Sequence, residues 1–451
     1  MSKNAPFKNI AVIGAGTMGS GIAGQIANSE QEVLLLDIPG KTPNSITEDA
    51  VKKLIRSDPP ALMHKNKANL IKVGNIRDDF NKLAKCDLII EAVVERLDIK
   101  KDLYNRINNI VNSKCVITSN TSTIPIKLLV EDMPQSFRER FAITHYFNPV
   151  RFMRLLELVR GEHTKSEIIK KLADYNDRIL GKGVVACNDT PGFLGNRVGV
   201  YALQVGMDEA YKLNLTVEEA DSLMGRPMGI PKTGIFGLYD LIGIDLMSDV
   251  VDTLGTILPD NDDFHKVGAS NIPTAELIKK MIDEGFTGNK GKGGFYRLDE
   301  KENEFYLDIY NNKTVQKSTQ LNEKAKVSAE LLEKGKETLF HLIKNNSNDI
   351  QEKKYTSFSR NVLSRVLHYA SSLIPEITTS PQDIDDAMKL GFNWIRGPFE
   401  IIDALGKDIV IELFKENGLS TPKSLECFPF YRVEKGKLFV SNYSVKSENK
   451  Y

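Results

Sequence analysis

The sequence predicts an α/β fold, a doubly wound parallel sheet, followed by two repeated all-α helical domains. Three observations predict it. A strand, a glycine loop and a helix follow one another within the first thirty residues; strand-like apolar runs alternate with helical patterns as far as about residue 188; and motifs in the helical stretch after Asp189 occur twice. Of 451 residues, 41% are hydrophobic and 27% charged, the profile of a chain that can bury a core. Lys and Arg number 60 against 60 Asp and Glu, so no basic footprint points to nucleic acid or an anionic membrane.

The first element is Asn9-Ile-Ala-Val-Ile13, a β-branched run. It leads directly into Gly14-Ala-Gly16-Thr17-Met18-Gly19 and a helix-like stretch, Ser20 to Asn28. This is G-x-G-x-x-G between a strand and a helix. Gly14 allows the tight turn, Gly16 leaves room for a pyrophosphate against the backbone, and Gly19 lets the helix approach the strand. A second strand, Glu32 to Leu36, ends at Asp37, at the distance expected of an acid that accepts from the ribose hydroxyls of NAD and repels the 2′-phosphate of NADP. The sheet is therefore of the Rossmann type, with NAD as cofactor. Further strands are expected at Asp87 to Val94, Cys115 to Ser119 and Arg140 to Thr144, with a helix at Ile99 to Val111.

Thr47 to Lys72 breaks this rhythm. It carries Pro59-Pro60 and reads as two helices flanking a break, with Lys52, Lys53, Arg56, Lys65, Lys67 and Lys72 along them. These cations could meet a phosphorylated substrate or form a solvated face.

His145 directly follows an apolar strand and precedes the compact turn Tyr-Phe-Asn148-Pro149. Residues just past strand ends line the ligand crevice of an open α/β sheet. Glu157 lies in Leu155-Leu-Glu157-Leu-Val159, an acid embedded in an apolar strand, and a buried acid needs a partner. A carboxylate beside an imidazole fixes its tautomer and favours its protonated form, which suits a proton acceptor.

These motifs together resemble the L-3-hydroxyacyl-CoA dehydrogenases of fatty-acid β-oxidation. The resemblance rests on the glycine loop, Glu91-Ala-Val-Val-Glu95, Ser119-Asn120-Thr121-Ser122, His145-Tyr-Phe-Asn-Pro149 with Glu157, and Asp189-Thr-Pro-Gly-Phe-Leu-Gly-Asn196-Arg197, in order over about residues 7 to 297. It implies His145 as catalytic base oriented by Glu157, with Ser122 and Asn196 hydrogen-bonding the reacting oxygen of the acyl-CoA substrate. It further implies Glu95, Lys100 and Asn120 on the nicotinamide half of NAD, and Asp37 on the adenosine ribose. Gly14, Gly16, Thr17, Met18 and Gly19 form the rest of the cofactor cradle.

The second half repeats. Gly234-Ile-Phe236-Gly-Leu-Tyr-Asp240 with Gly243 recurs as Gly397-Pro-Phe399-Glu-Ile-Ile-Asp403 with Gly406. Asn196-Arg197-Val198 with Tyr201-Ala202 recurs as Ser364-Arg365-Val366 with Tyr369-Ala370, and each copy ends in a hairpin-like stretch, Phe295 to Asp308 and Phe430 to Tyr443. The expected domains are 1–188 for the cofactor, 189–310 for the first helical copy, 311–354 for a polar, Lys-rich linker and 355–451 for a degenerate second copy. In single-copy relatives two subunits pair through this domain, so a covalent second copy predicts a monomer holding an internal pseudo-dimer. The resemblance extends to long bacterial forms that carry an enoyl-CoA hydratase domain. No candidate hydratase region stands in this sequence, whether as a natural short form or as a piece of a longer chain, and an enoyl-CoA hydratase is a candidate partner.

Four scattered cysteines, Cys86, Cys115, Cys187 and Cys427, form no metal-ligand or disulfide framework, so no metal is expected and a cytoplasmic setting fits. No apolar run approaches the ~20 residues of a membrane span. The start, Met1-Ser-Lys-Asn-Ala-Pro, runs into a strand by Asn9 and leaves no room for a signal peptide. Two other functions fit the fold: a dehydrogenase of a small hydroxy acid, or a non-catalytic NAD-binding protein.

Overall fold

The computed structural model describes residues 5–268, 273–317, 322–334, 337–345 and 348–444. Met1 to Asn4, on which the reading of the N-terminus partly rests, lie outside them. The chain divides into two compact units, Met1–Phe193 and Leu194–Tyr451.

The first unit is built on one eight-stranded sheet: β1 (Ile10–Ile13), β2 (Val33–Asp37), β3 (Ile71–Asn75), β4 (Leu88–Glu91), β5 (Val116–Ser119), β6 (Phe141–Tyr146), β7 (Leu155–Arg160) and β8 (Gly183–Cys187). Their order is β3-β2-β1-β4-β5-β6-β7-β8. The chain crosses from one half of the sheet to the other between β3 and β4, which puts the switch point between β1 and β4. The pairs are parallel except β6 with β7, which run antiparallel in a register that sets His145 opposite Glu157. β1, β4 and β5 are buried along their whole length, as strands covered on both faces must be. Helix α1 (Thr17–Asn28) packs Ile22, Ala23 and Ile26 onto Ile10, Val12 and Val33.

The Thr47 to Lys72 segment differs from expectation in its second half. Helix α2 (Ser45–Arg56) forms, but only a short 3₁₀ turn, Lys65–Leu70, follows the prolines, and Lys72 lies on β3. The strand Ile-Lys-Val-Gly-Asn has an exposed lysine and a glycine, so its apolar signal is weak; pairing along β2 makes it a strand. Helix α3 (Leu97–Asn108) forms where a helix is expected at Ile99 to Val111, starting two residues earlier and ending three residues earlier.

In the second unit the repeat has a clear physical basis. Asp240 accepts from the backbone N–H groups of Phe295 (2.8 Å) and Tyr296 (2.7 Å), tying the helix Phe236–Ile242 to the hairpin that follows. Asp403 does the same with Phe430 (3.0 Å) and Tyr431 (2.7 Å). Asp221 accepts from Ile235, Phe236 and Gly237 N–H and from the Tyr296 hydroxyl; its counterpart Asp385 accepts from Phe399 and Glu400 N–H and from the Tyr431 hydroxyl. Two long helices, Gly195–Lys212 and Ile350–Ser372, carry the contact between copies. Tyr201 stacks on its own counterpart Tyr369, ring centroids 3.9 Å apart, so the pair sits on a local pseudo-two-fold axis. Arg197 pairs with Asp262 and with Glu376 of the second copy, and its counterpart Arg365 pairs with Asp208 and Glu209 of the first. Between the copies, the described residues of 311–354 carry a strand, Lys313–Gln316, two helices, Glu323–Glu333 and Leu339–Ile343, and the start of the helix that opens the second copy.

Candidate active site

The glycine loop turns tightly and leaves one stretch of its backbone open. Gly14 has φ +102°, and a Cβ there would stand 2.3 Å from the Ala92 carbonyl oxygen; one at Gly19 would stand 1.8 Å from the Gly14 carbonyl oxygen. Only glycine fits either place. Gly16, by contrast, is exposed, and a Cβ there would meet nothing within 4 Å. That open backbone heads α1, which has no side-chain cap and no acid in its first turn, so its free N–H groups and positive end face outward beside Thr17 and Met18. Asp37 holds the rim: it accepts from Ala15 N–H at 2.5 Å and Ile38 N–H at 2.6 Å. Each carboxylate oxygen keeps a lone pair for a ribose hydroxyl. The residues present therefore fit a dinucleotide that lacks a 2′-phosphate.

On the other side of the switch point, β6 and β7 place His145 and Glu157 as direct cross-strand neighbours. His145 Nδ1 lies 2.6 Å from Glu157 Oε2; Glu157 is 1% exposed and His145 7%. The imidazole is flanked by Phe147 and Phe193, at centroid distances of 4.6 and 5.9 Å. With Nδ1 bound to a carboxylate, Nε2 is the nitrogen left to take a proton. A carboxylate and an imidazole so placed can serve as orienter and base.

Between these two sites, the ends of β4 and β5 carry a polar cluster. Glu91 is fully buried and saturated: Oε1 accepts from Lys100 Nζ (2.7 Å) and Val93 N–H (2.8 Å), and Oε2 from the Tyr104 hydroxyl (2.6 Å) and Ser119 Oγ (2.7 Å). Lys100 also reaches Glu95 Oε2 at 3.2 Å. With 1% exposure, Lys100 is no solvated lysine. Glu95 accepts from Thr121 and Thr123 hydroxyls; burial alone would raise its carboxyl, but the Lys100 charge and these donors outweigh it and hold it below the usual range. Asn120 accepts from Tyr146 N–H at 3.0 Å, bracing the end of β5 against the residue after His145, and half-buried Ser122 follows on the same segment.

Three further residues support this edge, and sequence reasoning assigned none of them a role. Glu91 stood in the motif Glu91-Ala-Val-Val-Glu95 without a role of its own. Lys182 is 2% exposed; its ammonium donates to the carbonyls of Val150 and Met153, cross-bracing the turn between His145 and Glu157, and burial pulls it down to about 8. Asp189 accepts from Ile126 and Lys127 N–H at the start of the helix Ile126–Val130, just after Ser122. Asn196 belongs to the second unit, in the first turn of the helix Gly195–Lys212. On the basic segment, Lys52 pairs with Asp49, Lys67 with Glu30 and Lys72 with Glu32, whereas Lys53, Arg56 and Lys65 make no ion pair among the described residues.

Comparison with known proteins gives consistent findings. The profile of the 3-hydroxyacyl-CoA dehydrogenase NAD-binding domain matches residues 9–190, and that of the C-terminal domain of the same family matches twice, over 192–298 and 358–429. A Rickettsia prowazekii protein, carried under the provisional name of a fatty acid oxidation complex trifunctional enzyme, is 37% identical over 96% of this chain and 58% of its own length. The mitochondrial hydroxyacyl-coenzyme A dehydrogenase of Sus scrofa is 31% identical over 66% of this chain and 93% of its own. A 3-hydroxybutyryl-CoA dehydrogenase from Escherichia coli K12 shares the fold, with a TM-score of 0.64 at 21% identity over 93% of this chain and 97% of that one. The chain thus spans little more than half the length of the rickettsial relatives it matches. Among the described residues, no helix is long and apolar enough to cross a membrane, and no group of three or more His, Cys, Asp or Glu could hold a metal ion.

Proposed function

The chain belongs to the 3-hydroxyacyl-CoA dehydrogenase family, and we propose that it oxidises L-3-hydroxyacyl-CoA to 3-oxoacyl-CoA, reversibly, in fatty-acid β-oxidation. The observation that carries this reading is the His145 and Glu157 pair at the carboxyl edge of the sheet, beyond a cradle fitted to NAD. When bound, NAD supplies the hydride acceptor at its nicotinamide ring. The loop of Gly14, Gly16, Thr17, Met18 and Gly19 would hold its pyrophosphate, and Asp37 its adenosine ribose.

His145 Nε2 takes the proton from the substrate 3-hydroxyl. Glu157 keeps Nδ1 protonated and stabilises the imidazolium that forms, so the proton comes to rest on a charge-paired ring. Ser122 and Asn196 are the candidates to hydrogen-bond the oxygen as it changes from alcohol to carbonyl. In the reverse direction the imidazolium returns its proton to the same oxygen. The buried side chain of Lys182 keeps the β6 to β7 turn, and with it the register of the dyad, in place.

Further readings follow from this one. The stacked Tyr201 and Tyr369 and the reciprocal Arg197 and Arg365 pairs support a monomer whose two copies pair internally. The name and greater length of the rickettsial relative support an enoyl-CoA hydratase as functional partner. Four free thiols, three of them buried, fit a cytoplasmic setting. The deciding assay follows NADH consumption with acetoacetyl-CoA and, in parallel, with free acetoacetate. Turnover of the thioester alone is the expected result. Turnover of the free acid alone would favour a small hydroxy acid dehydrogenase, and turnover of neither by folded protein would favour a non-catalytic NAD-binding protein.

A further inference from the structure

The ends of β4 and β5 hold more charge than a proton-transfer dyad and a phosphate cradle require. Two carboxylates, Glu91 and Glu95, share one ammonium, Lys100, at 2.7 and 3.2 Å. Every other recorded partner of the two acids is neutral: Val93 N–H and the Tyr104 and Ser119 hydroxyls on Glu91, the Thr121 and Thr123 hydroxyls on Glu95. The neighbouring charges Arg96 and Asp98 pair with each other and cancel. The cluster therefore carries a net charge of −1. The Glu91 and Lys100 side chains are 0% and 1% exposed, while that of Glu95 is 39% exposed, so the excess charge faces outward at Glu95.

The topology says what meets it. Asp37 ends β2 on one side of β1 and takes the adenosine side of a dinucleotide whose pyrophosphate lies at Gly16. The other half of the same molecule then falls over the ends of β4 and β5, and it must reach towards β6, where His145 stands. That half is the nicotinamide. Its ring carries a positive charge when oxidised and none when reduced. A net negative charge beside the ring acts on the first form and hardly on the second, and because Glu95 is 39% exposed the contact is screened to the order of a surface charge pair.

We propose that the Glu91, Lys100 and Glu95 cluster discriminates oxidised from reduced nicotinamide cofactor. Glu95 presents the uncompensated charge; Glu91 and Lys100 are positioning residues that hold its carboxylate at the crevice and set the sum at −1. The cluster thereby favours the NAD⁺ complex over the NADH complex. This rests on the cofactor reading given above.

The test is the ratio of two dissociation constants measured on the full chain: NADH by fluorescence titration and NAD⁺ by competition against it. Glu95→Gln removes the charge and keeps the size, at a partly exposed loop position; Glu95→Asp keeps the charge. Glu95→Gln is expected to weaken NAD⁺ about tenfold more than NADH, the order of one screened charge contact. Glu95→Asp is expected to keep the wild-type ratio even where both affinities fall. Equal weakening of both forms by Glu95→Gln, the mark of a lost ribose hydrogen bond alone, would overturn the proposal, as would the same change of ratio in both variants. If wild type binds neither form, the cofactor reading itself fails; if it binds both and the ratio does not move, only the charge assignment fails.

Discussion

Glu157→Gln isolates the most specific feature of the site, because it leaves the shape of the dyad and removes only its charge. Glu157 is 1% exposed and lies 2.6 Å from His145 Nδ1, so the contact is desolvated and short. A hydrogen bond to a charged partner contributes about 1.5–3 kcal/mol against about 1 for a neutral one, and here the charge also stabilises the imidazolium formed as the proton leaves the substrate. A loss of about 2–3 kcal/mol of transition-state stabilisation corresponds to a roughly 30- to 150-fold lower kcat. His145→Ala should lower it by about 10²–10⁴, the usual range for a general base. Because Glu157 acts through His145, the double variant should be no slower than His145→Ala alone. The assay is acetoacetyl-CoA reduction followed by NADH absorbance, with NADH affinity measured separately and expected to be retained in all three variants. A double variant slowed by the product of the two single effects would refute the reasoning, since it would mean that Glu157 acts without the histidine; near-normal rates in either single variant would remove the dyad altogether.

Asp37→Ala should weaken NAD and reduce discrimination against NADP, read as the ratio of kcat/KM for the two cofactors; a wild type that uses both equally would contradict the role of the Asp37 carboxylate. Neutralising Lys53, Arg56 or Lys65, which are exposed and without an ion-pair partner among the described residues, should raise KM for the CoA thioester and leave NAD affinity alone, whereas Lys52 and Lys67 are already paired and should matter less. Burial holds Lys182 at about 8, so between about pH 8 and the ordinary lysine value of 10.5 the unfolded chain binds more protons than the folded one. Stability relative to Lys182→Met should therefore rise with pH across that window, by at most about 1.4 kcal/mol per unit, and a flat difference in chemical denaturation would count against it. Light scattering on the intact chain should give 50.5 kDa, and deleting Tyr355 to Tyr451 should uncover the apolar face around Gly199 and Tyr201 and cause dimerisation or aggregation; a stable mass near twice 50.5 kDa for the intact chain at micromolar concentration would contradict the internal pairing.

What the sequence determined by itself was local or repeated. The glycine loop is legible because its turn, open backbone and close helix approach need particular residues at fixed spacing; the structure shows the steric need at Gly14 and Gly19 and an open backbone at Gly16. The duplication is legible because Gly234, Phe236, Asp240 and Gly243 recur at the same spacing as Gly397, Phe399, Asp403 and Gly406, and Asp240 and Asp403 each tie their helix to a hairpin further along the chain. Glu157 stood out because an acid inside an apolar strand has to be paired. β3 and β8 were not legible: their burial is uneven, and pairing with β2 and β7, formed across long stretches of chain, decides them. The short connection from Tyr146 to Leu155 allows only an antiparallel return of β7 beside β6, but the register that sets His145 opposite Glu157 is decided by the strand pairing. The same holds for the cluster at Glu91. Its partners Lys100, Tyr104 and Ser119 come from a helix and a second strand, so only the folded chain gathers them around one carboxylate and leaves Glu95 with a charge to spare. Spacing along the chain shows which groups need a partner; the long-range pairing of strands and helices chooses which partner they receive.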